Sequence, residues 1–170
     1  GYCERLAAEL RAQQYGGQPV TVELDAREGR GGEKVWSWIK KGVPIRLEIG
    51  PRDIAADTVC LTRRDRPHKE RVNVPRAELA ATLPARLDEI QQSLLERARA
   101  FRAQHTQRLD SKEDLVRFFT PLNPEKPEIH GGFALCHWAG DRAVEAQLAA
   151  ELGVTIRCLP LEGAAEPGRC

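Results

Sequence analysis

The side chains in this sequence able to do chemistry outside a core are a basic cluster, a few carboxylates and a pair of tryptophans. Arg63, Arg64, Arg66, His68, Lys69 and Arg71 crowd together, with opposite charge only at Asp65 and Glu70. Guanidinium and ammonium groups at that density can neutralise phosphates and donate to base edges. The same run also reads as the solvated charge of an ordinary hairpin. The chain carries 26 Lys and Arg against 25 Asp and Glu, a net charge of +1. No global field then draws it onto nucleic acid, and any RNA binding must use a local patch. Arg46 precedes Glu48 by two residues, so on a strand the two share a face. An ion pair between them and an RNA contact by Arg46 are both open. Trp36 and Trp38 could each stack on an unpaired base, with one of the two expected in the core.

Other chemistry finds less support. No glycine-rich lysine loop of the phosphate-cradling kind is present. Asp25, Asp53, His68 and His137 could serve a small α/β hydrolytic or transfer site, yet no pair among them has the spacing of a shared site. The five cysteines, Cys3, Cys60, Cys136, Cys158 and Cys170, form no CxxC and no regular framework, which argues against disulfides as staples. Apolar residues make up 41% and charged residues 30% of 170 residues, enough for one domain with a small appendage. No apolar run approaches the roughly 20 residues that cross a bilayer. A cytoplasmic setting is the default. The chain contains no Met and ends abruptly at Gly168-Arg169-Cys170, so a piece of a longer polypeptide is expected.

Positioning these groups requires elements, and the periodicity supplies them. Leu6 and Leu10 mark an amphipathic helix over 2–14 ended by Gly16-Gly17. Val20 to Leu24 alternates with period two and reads as a strand. A glycine-rich loop follows, and then a helix over 33–40 with Val35, Trp36 and Ile39 at helical spacing. Val43 to Ile49 is a strand, turned by Pro51-Arg52-Asp53 toward a second strand at Thr58 to Thr62 and a hairpin return at Lys69 to Val74. A long helix with Leu87, Ile90, Leu94, Ala98 and Phe101 along one face is expected from Pro84 to about His105. Glu96 and Arg99 would pair on its wet side. Near Ser111 a second module starts with a capping box, Ser111 and Asp114. An extended connector follows over Thr120 to His130, then strands at 133–138 and 154–161 around a helix from Asp141 to Leu152 that Gly153 ends. The expected class is α/β, a mixed β-sheet flanked by helices over 1–108, followed by a small α+β domain over 109–170.

The run KGVPIRLEIGPRD, Lys41 to Asp53, followed by Thr58-Val59-Cys60-Leu61-Thr62-Arg63-Arg64-Asp65, resembles the anticodon-binding domain of a class II aminoacyl-tRNA synthetase. Within that class it is similar to prolyl-tRNA synthetases of the eukaryote-like and archaeal-like type. Asp25-Ala26-Arg27, Gly32-Glu33-Lys34 and Trp38 to Pro44 follow the family order. Gly132 to Leu135 and Thr155 to Pro160 resemble the extra C-terminal domain of this type. The resemblance implies a first strand ahead of Tyr2 that this chain does not carry, and a catalytic domain ahead of Gly1 that uses ATP and Mg²⁺. This chain has no Phe-Arg-x-Glu-type ATP motif and should be inactive in aminoacylation alone.

The same resemblance implies the partners and the reading groups. The partner is the anticodon loop of tRNA-Pro, whose second and third anticodon bases are guanines, and the parent enzyme resembles homodimers; no membrane is implied. Matched position by position, Asp53 would accept from a guanine N1–H and N2–H, while Arg46 and Lys69 would donate to O6, N7 or nearby phosphates. Arg52 and Arg64 would position phosphates or remain solvated. Where the family often has Glu, this chain has Ile39, which cannot accept a hydrogen bond. Some members hold zinc on four cysteines; here two of those positions fall at Ala139 and Val144, only Cys170 matches, and no zinc is expected. Cys136 and Cys158 are expected as buried strand thiols. A stand-alone, non-catalytic tRNA-binding accessory module is the alternative.

Overall fold

In a computed structural model the described residues are 1–127, 132–161 and 167–170. The chain divides into two compact units, Gly1–Arg97 and Ala98–Cys170.

The first unit opens with α1 (Tyr2–Arg11), whose Leu6, Ala7 and Leu10 are buried. The helix stops earlier than Gly16-Gly17, because those glycines have a different task. They form the two-residue turn between β1 (Gln14–Tyr15) and β2 (Gln18–Pro19), with φ of 58° and 76°. Positive φ at both central positions is what a tight primed hairpin turn demands. Val20 to Leu24 forms no strand. Its alternation is real, since Val20 and Val22 pack against the core while Thr21 and Glu23 are exposed. A ladder, however, needs a neighbouring strand, and none lies beside it among the described residues. The Arg11 guanidinium instead donates to the Val22 carbonyl at 3.1 and 2.6 Å.

Helix α2 (Gly31–Lys40) leads through a turn at Gly42 into β3 (Ile45–Glu48). Pro51 does not simply turn the chain: it begins α3 (Pro51–Ala56), a position where the missing amide hydrogen costs nothing. Strands β4 (Thr58–Arg63) and β5 (Val72–Pro75) complete an antiparallel sheet of order β3-β4-β5. Its register pairs Ile45 with Arg63, Arg46 with Thr62, Leu47 with Leu61 and Glu48 with Cys60, and Cys60 in turn with Asn73. Opposed residues share a face. One face therefore presents Leu47, Leu61, Val59 and Val74 to the core, and the other carries Arg46, Glu48, Cys60, Thr62 and Asn73. Lys69 lies in the Pro67–Glu70 turn, ahead of the strand it was expected to start.

Helix α4 (Arg76–Gln104) is longer than its periodicity predicts, and Pro84 falls inside it. Eight residues precede the proline because Leu79 and Leu83 are buried with Leu6, Leu10, Val59, Leu61 and Val74 in a single apolar cluster, and Leu87 packs on its edge. That burial outweighs one lost amide bond at Pro84, and the helix covers the sheet as expected. Phe101, on the distal part, is exposed and stacks on His105 at 4.0 Å. Glu96 accepts from Gln92 at 2.7 Å rather than pairing with Arg99.

In the second unit β6 (Thr106–Arg108) pairs in parallel with β7 (Phe133–Leu135). Ser111 caps α5 (Lys112–Phe119), its hydroxyl oxygen accepting the Asp114 amide at 3.1 Å, as its sequence box predicts. Asp141 caps α6 (Arg142–Leu152), and Gly153 ends it with φ 67°. The expected strand over 133–138 stops at Leu135, and residues 154–160 form no ladder. The connector expected over 120–130 falls partly on 128–131, outside the described residues; its described part, 121–127, holds no helix or strand. Among the described residues no helix is long and apolar enough to cross a membrane.

Candidate nucleic-acid interface

The basic cluster resolves into separate partnerships. Arg63 donates twice to Asp65, each bond at 3.0 Å, and once to Glu89 at 2.6 Å. Asp65 is 7% exposed, and its carboxyl is held below the usual carboxylate range by the Arg63 guanidinium against the opposing cost of burial, with Ser93 adding a further hydrogen bond. Arg66 reaches the same carboxylate at 3.8 Å, and Arg71 pairs with Glu48 at 3.3 Å. Arg64 donates to the Gly42 carbonyl at 3.3 Å, reaching over a residue with φ 74°. Asp65, which seemed only to interrupt a positive run, is the acceptor that organises it. What remains for a ligand is His68 and Lys69, both exposed.

Arg46 behaves differently from its basic neighbours. Its strand mate Glu48 is taken by Arg71, so the ion pair considered between Arg46 and Glu48 does not form. Arg46 Nη1 is buried and has no hydrogen-bond partner. A buried donor left unpaired costs about 1–3 kcal/mol, and Arg76 Nε is the other buried side-chain atom without a hydrogen bond among the described residues. Thr62, opposite it, is 2% exposed and donates its hydroxyl to the Arg46 carbonyl at 3.3 Å, which fixes the strand from which Arg46 projects.

Asp53 sits in the first turn of α3, and its Oδ2 accepts the Gly50 amide at 2.8 Å. Gly50, as the N-cap, has no side chain to satisfy the helix's orphan amides, and the carboxylate reaching back supplies one acceptor. A carboxylate has about four lone-pair sites, so this bond leaves acceptor capacity. Burial pushes the Cys60 thiol up, Glu48 pushes it the same way, and Arg71 and Asp53 act on it more weakly. The carboxylates of Glu48 and Asp53 thus lie within electrostatic reach of one point on the sheet face that carries Arg46. Arg52 and Lys69 are exposed and make no ion pair among the described residues. Of the residues singled out in the sequence, Arg46 lies on the sheet face, Asp53 lies in the first turn of α3, Arg64 is tied to Gly42, and Arg52 and Lys69 make no ion pair among the described residues. Ile39 is half-buried in the last turn of α2, where its carbonyl accepts the Gly42 amide at 2.9 Å.

The two tryptophans separate cleanly. Trp38 donates from Nε1 to Asp25 at 2.7 Å, and Arg27 grips the same carboxylate at 2.8 and 2.6 Å. Those bonds, Arg27's first and Trp38's second, hold the Asp25 carboxyl well below its usual range. Asp25 is therefore an anchor rather than an acid–base group. Trp36 is 55% exposed and faces the His68 ring at 6.0 Å between centroids. Sequence reasoning missed the Trp36–His68 and Glu48–Arg71 pairs, because each joins residues far apart in the chain with no local signal.

Residues 1–86 match the anticodon binding domain family. The chain belongs to that family. Curated relatives across the full length are proline–tRNA ligases. Proline–tRNA ligase 2 of Anaeromyxobacter dehalogenans is 54% identical over 99% of this chain and 34% of its own length. The proline–tRNA ligase of Protochlamydia amoebophila is 48% identical over 99% of this chain and 33% of its own. Among solved structures, the prolyl-tRNA synthetase of Cryptosporidium parvum complexed with halofuginone and AMPPNP superimposes with a TM-score of 0.67 at 25% identity, over 89% of this chain and 28% of that one. The chain thus spans about a third of the length of the curated relatives it matches. The anticodon-binding domain and its α/β class, small sheets flanked by helices, are thereby established.

Ala139 and Val144, at two of the positions where cysteines would stand, have no donor atoms, and a structural zinc needs four. Cys136 and Cys158 are exposed, not the buried strand thiols expected, because the strands that would bury them stop short or do not form. Among the described residues no three His, Cys, Asp or Glu side chains gather as they would around a metal.

Proposed function

We propose that this chain is the tRNA-reading part of a proline–tRNA ligase and that it engages the anticodon loop of tRNA-Pro. The observation that carries the reading is the match of residues 1–86 to the anticodon binding domain family, with Arg46 on β3 and Asp53 on α3, the helix that packs against the neighbouring β4. Guanine offers the complement: O6 and N7 accept on one edge, and N1–H and N2–H donate on the other. Arg46 would donate to a guanine acceptor or nearby phosphate, Asp53 would take the paired N–H groups of a guanine, and Lys69 would bind O6, N7 or phosphate from the adjoining turn. Arg52 would contact phosphate. Arg64 contributes less than its type suggests, because it is engaged at Gly42.

The remaining parts of the enzyme would supply ATP- and Mg²⁺-dependent activation of proline and its transfer to tRNA. This chain would bring recognition, with no resident cofactor and no zinc. The parent enzyme would act in the cytoplasm as a homodimer. The test is binding of an anticodon stem-loop with guanines at the second and third anticodon positions against loops with either guanine replaced. Each replacement should weaken binding roughly 5-fold to over 100-fold, the worth of a good bidentate contact. Equal affinity for all loops would end the proposal.

A further inference from the structure

Codons for proline share their first two bases and differ in the third, so the first anticodon base varies while the two guanines do not. A reader of such loops needs hydrogen-bond specificity at two positions and tolerance at one. Stacking on an aromatic face supplies tolerance, because every base has such a face. We infer that Trp36 and His68 form a stacking platform for the variable first anticodon base. This rests on the anticodon reading above and extends it to a position that hydrogen-bonding groups do not explain.

Four observations support it. Trp36, one of the two indoles on α2, is 55% exposed, and an indole left in water on a folded domain is the expected state of a stacking surface awaiting its base. Its companion Trp38 is tied to Asp25, so the exposure belongs to Trp36 and not to a loosely packed helix. His68, also exposed, stands 6.0 Å from it with the planes inclined at 37°; the rings touch without stacking in parallel and form an angled wall. The charges around the indole suit a nucleotide. Lys40 lies one turn beyond Trp36 on the same helix face, Arg30 and Lys41 line the same shallow groove with it, and Glu33 is the one acid there. Lys69, the turn cation free to meet the loop, is the next residue after His68.

The experiment uses the 170-residue chain and anticodon stem-loops that keep both guanines while the first anticodon position carries A, C, G, U or an abasic sugar. The four bases should bind wild type within a few-fold of one another, and the abasic loop should bind roughly 5-fold to over 100-fold more weakly, as for loss of one stacked base. Trp36→Ala should remove that penalty, so that all five loops bind alike, and Trp36→Phe should restore most of it. His68→Ala should reduce it. An abasic loop that binds wild type as tightly as the others overturns the inference, as does an undiminished penalty in Trp36→Ala. Replacing a guanine serves as the separate arm. If guanine preference stands while the abasic penalty is absent, only the platform fails; if the penalty depends on Trp36 while guanine preference is absent, the anticodon reading fails and stacking survives.

Discussion

Asp53 has one duty in the fold and one proposed at the RNA, and a pair of substitutions can separate them. Its carboxylate accepts the Gly50 amide at the start of α3 at 2.8 Å, and the same group is the proposed acceptor for a guanine. Asp53→Asn keeps an oxygen that can accept from Gly50, and loses the negative charge at a helix N-terminus, worth about 0.3–1 kcal/mol. Asp53→Ala loses the acceptor as well, and loss of such a cap costs about 0.5–2 kcal/mol. Alanine should therefore destabilise the chain more than asparagine. For guanine the order collapses. A carboxylate accepts two parallel N–H bonds, whereas a carboxamide accepts one and turns an NH₂ group toward the other donor. Both variants should lose the discrimination of about 1–3 kcal/mol that the contact provides, roughly 5-fold to over 100-fold between a guanine loop and its replacement. Urea melts measure the first effect, and titration of matched and substituted anticodon stem-loops measures the second. Wild-type guanine preference in Asp53→Asn would refute the carboxylate as reader. Equal stability of the two variants would refute the cap.

Three further outcomes are expected. Arg46→Met should raise the stability of the free chain by up to about 1 kcal/mol, since it removes a buried unpaired donor, while weakening stem-loop binding; a loss of stability in urea melts would show that Arg46 has a partner in solution. The Asp65 carboxyl is held below its ordinary value of 3.8 by Arg63, so its stabilising contribution is present above that pH and is lost as pH falls through the lower folded value. Acid titration of unfolding should accordingly show a downturn below about pH 4 that Asp65→Asn removes, together with an overall loss of about 1.5–3 kcal/mol at neutral pH from the broken charged hydrogen bonds. Leu79, which is fully buried, should cost about 2–5 kcal/mol on change to Ala, and calorimetry showing less than 1 kcal/mol would mean that α4 does not close the core as described.

Legibility in the sequence followed the range of the signal. End signals are local, so Ser111 with Asp114 at the start of α5 and Gly153 at the end of α6 were readable. Period-two alternation at Val20 and Val22 correctly told which side chains face the core, but a strand is a property of two segments, and the alternation could not report the absence of a neighbour. Pro84 misplaced the start of α4 because a helix signal from one residue was set against the burial of Leu79 and Leu83, which depends on the whole core. In the candidate site, residue types were legible and pairings were not. Asp65 captures Arg63, Glu48 captures Arg71, and Gly42 captures Arg64, while Arg52 and Lys69 make no ion pair among the described residues; nothing in linear order distinguishes those cations.

Gly42 restricts how this domain can drift. Its φ of 74° disfavours any side chain, and a Cβ there would stand 3.3 Å from Arg64 Nη1. Trimming Arg64 would clear the space yet leave the backbone conformation as it is, so no single step opens the position to alanine. The accessible exit runs through residues that accept left-handed backbone, asparagine first, with the exposed Arg64 side chain giving way by a few tenths of an ångström. Backbone conformation, rather than the neighbouring guanidinium, therefore decides what position 42 tolerates.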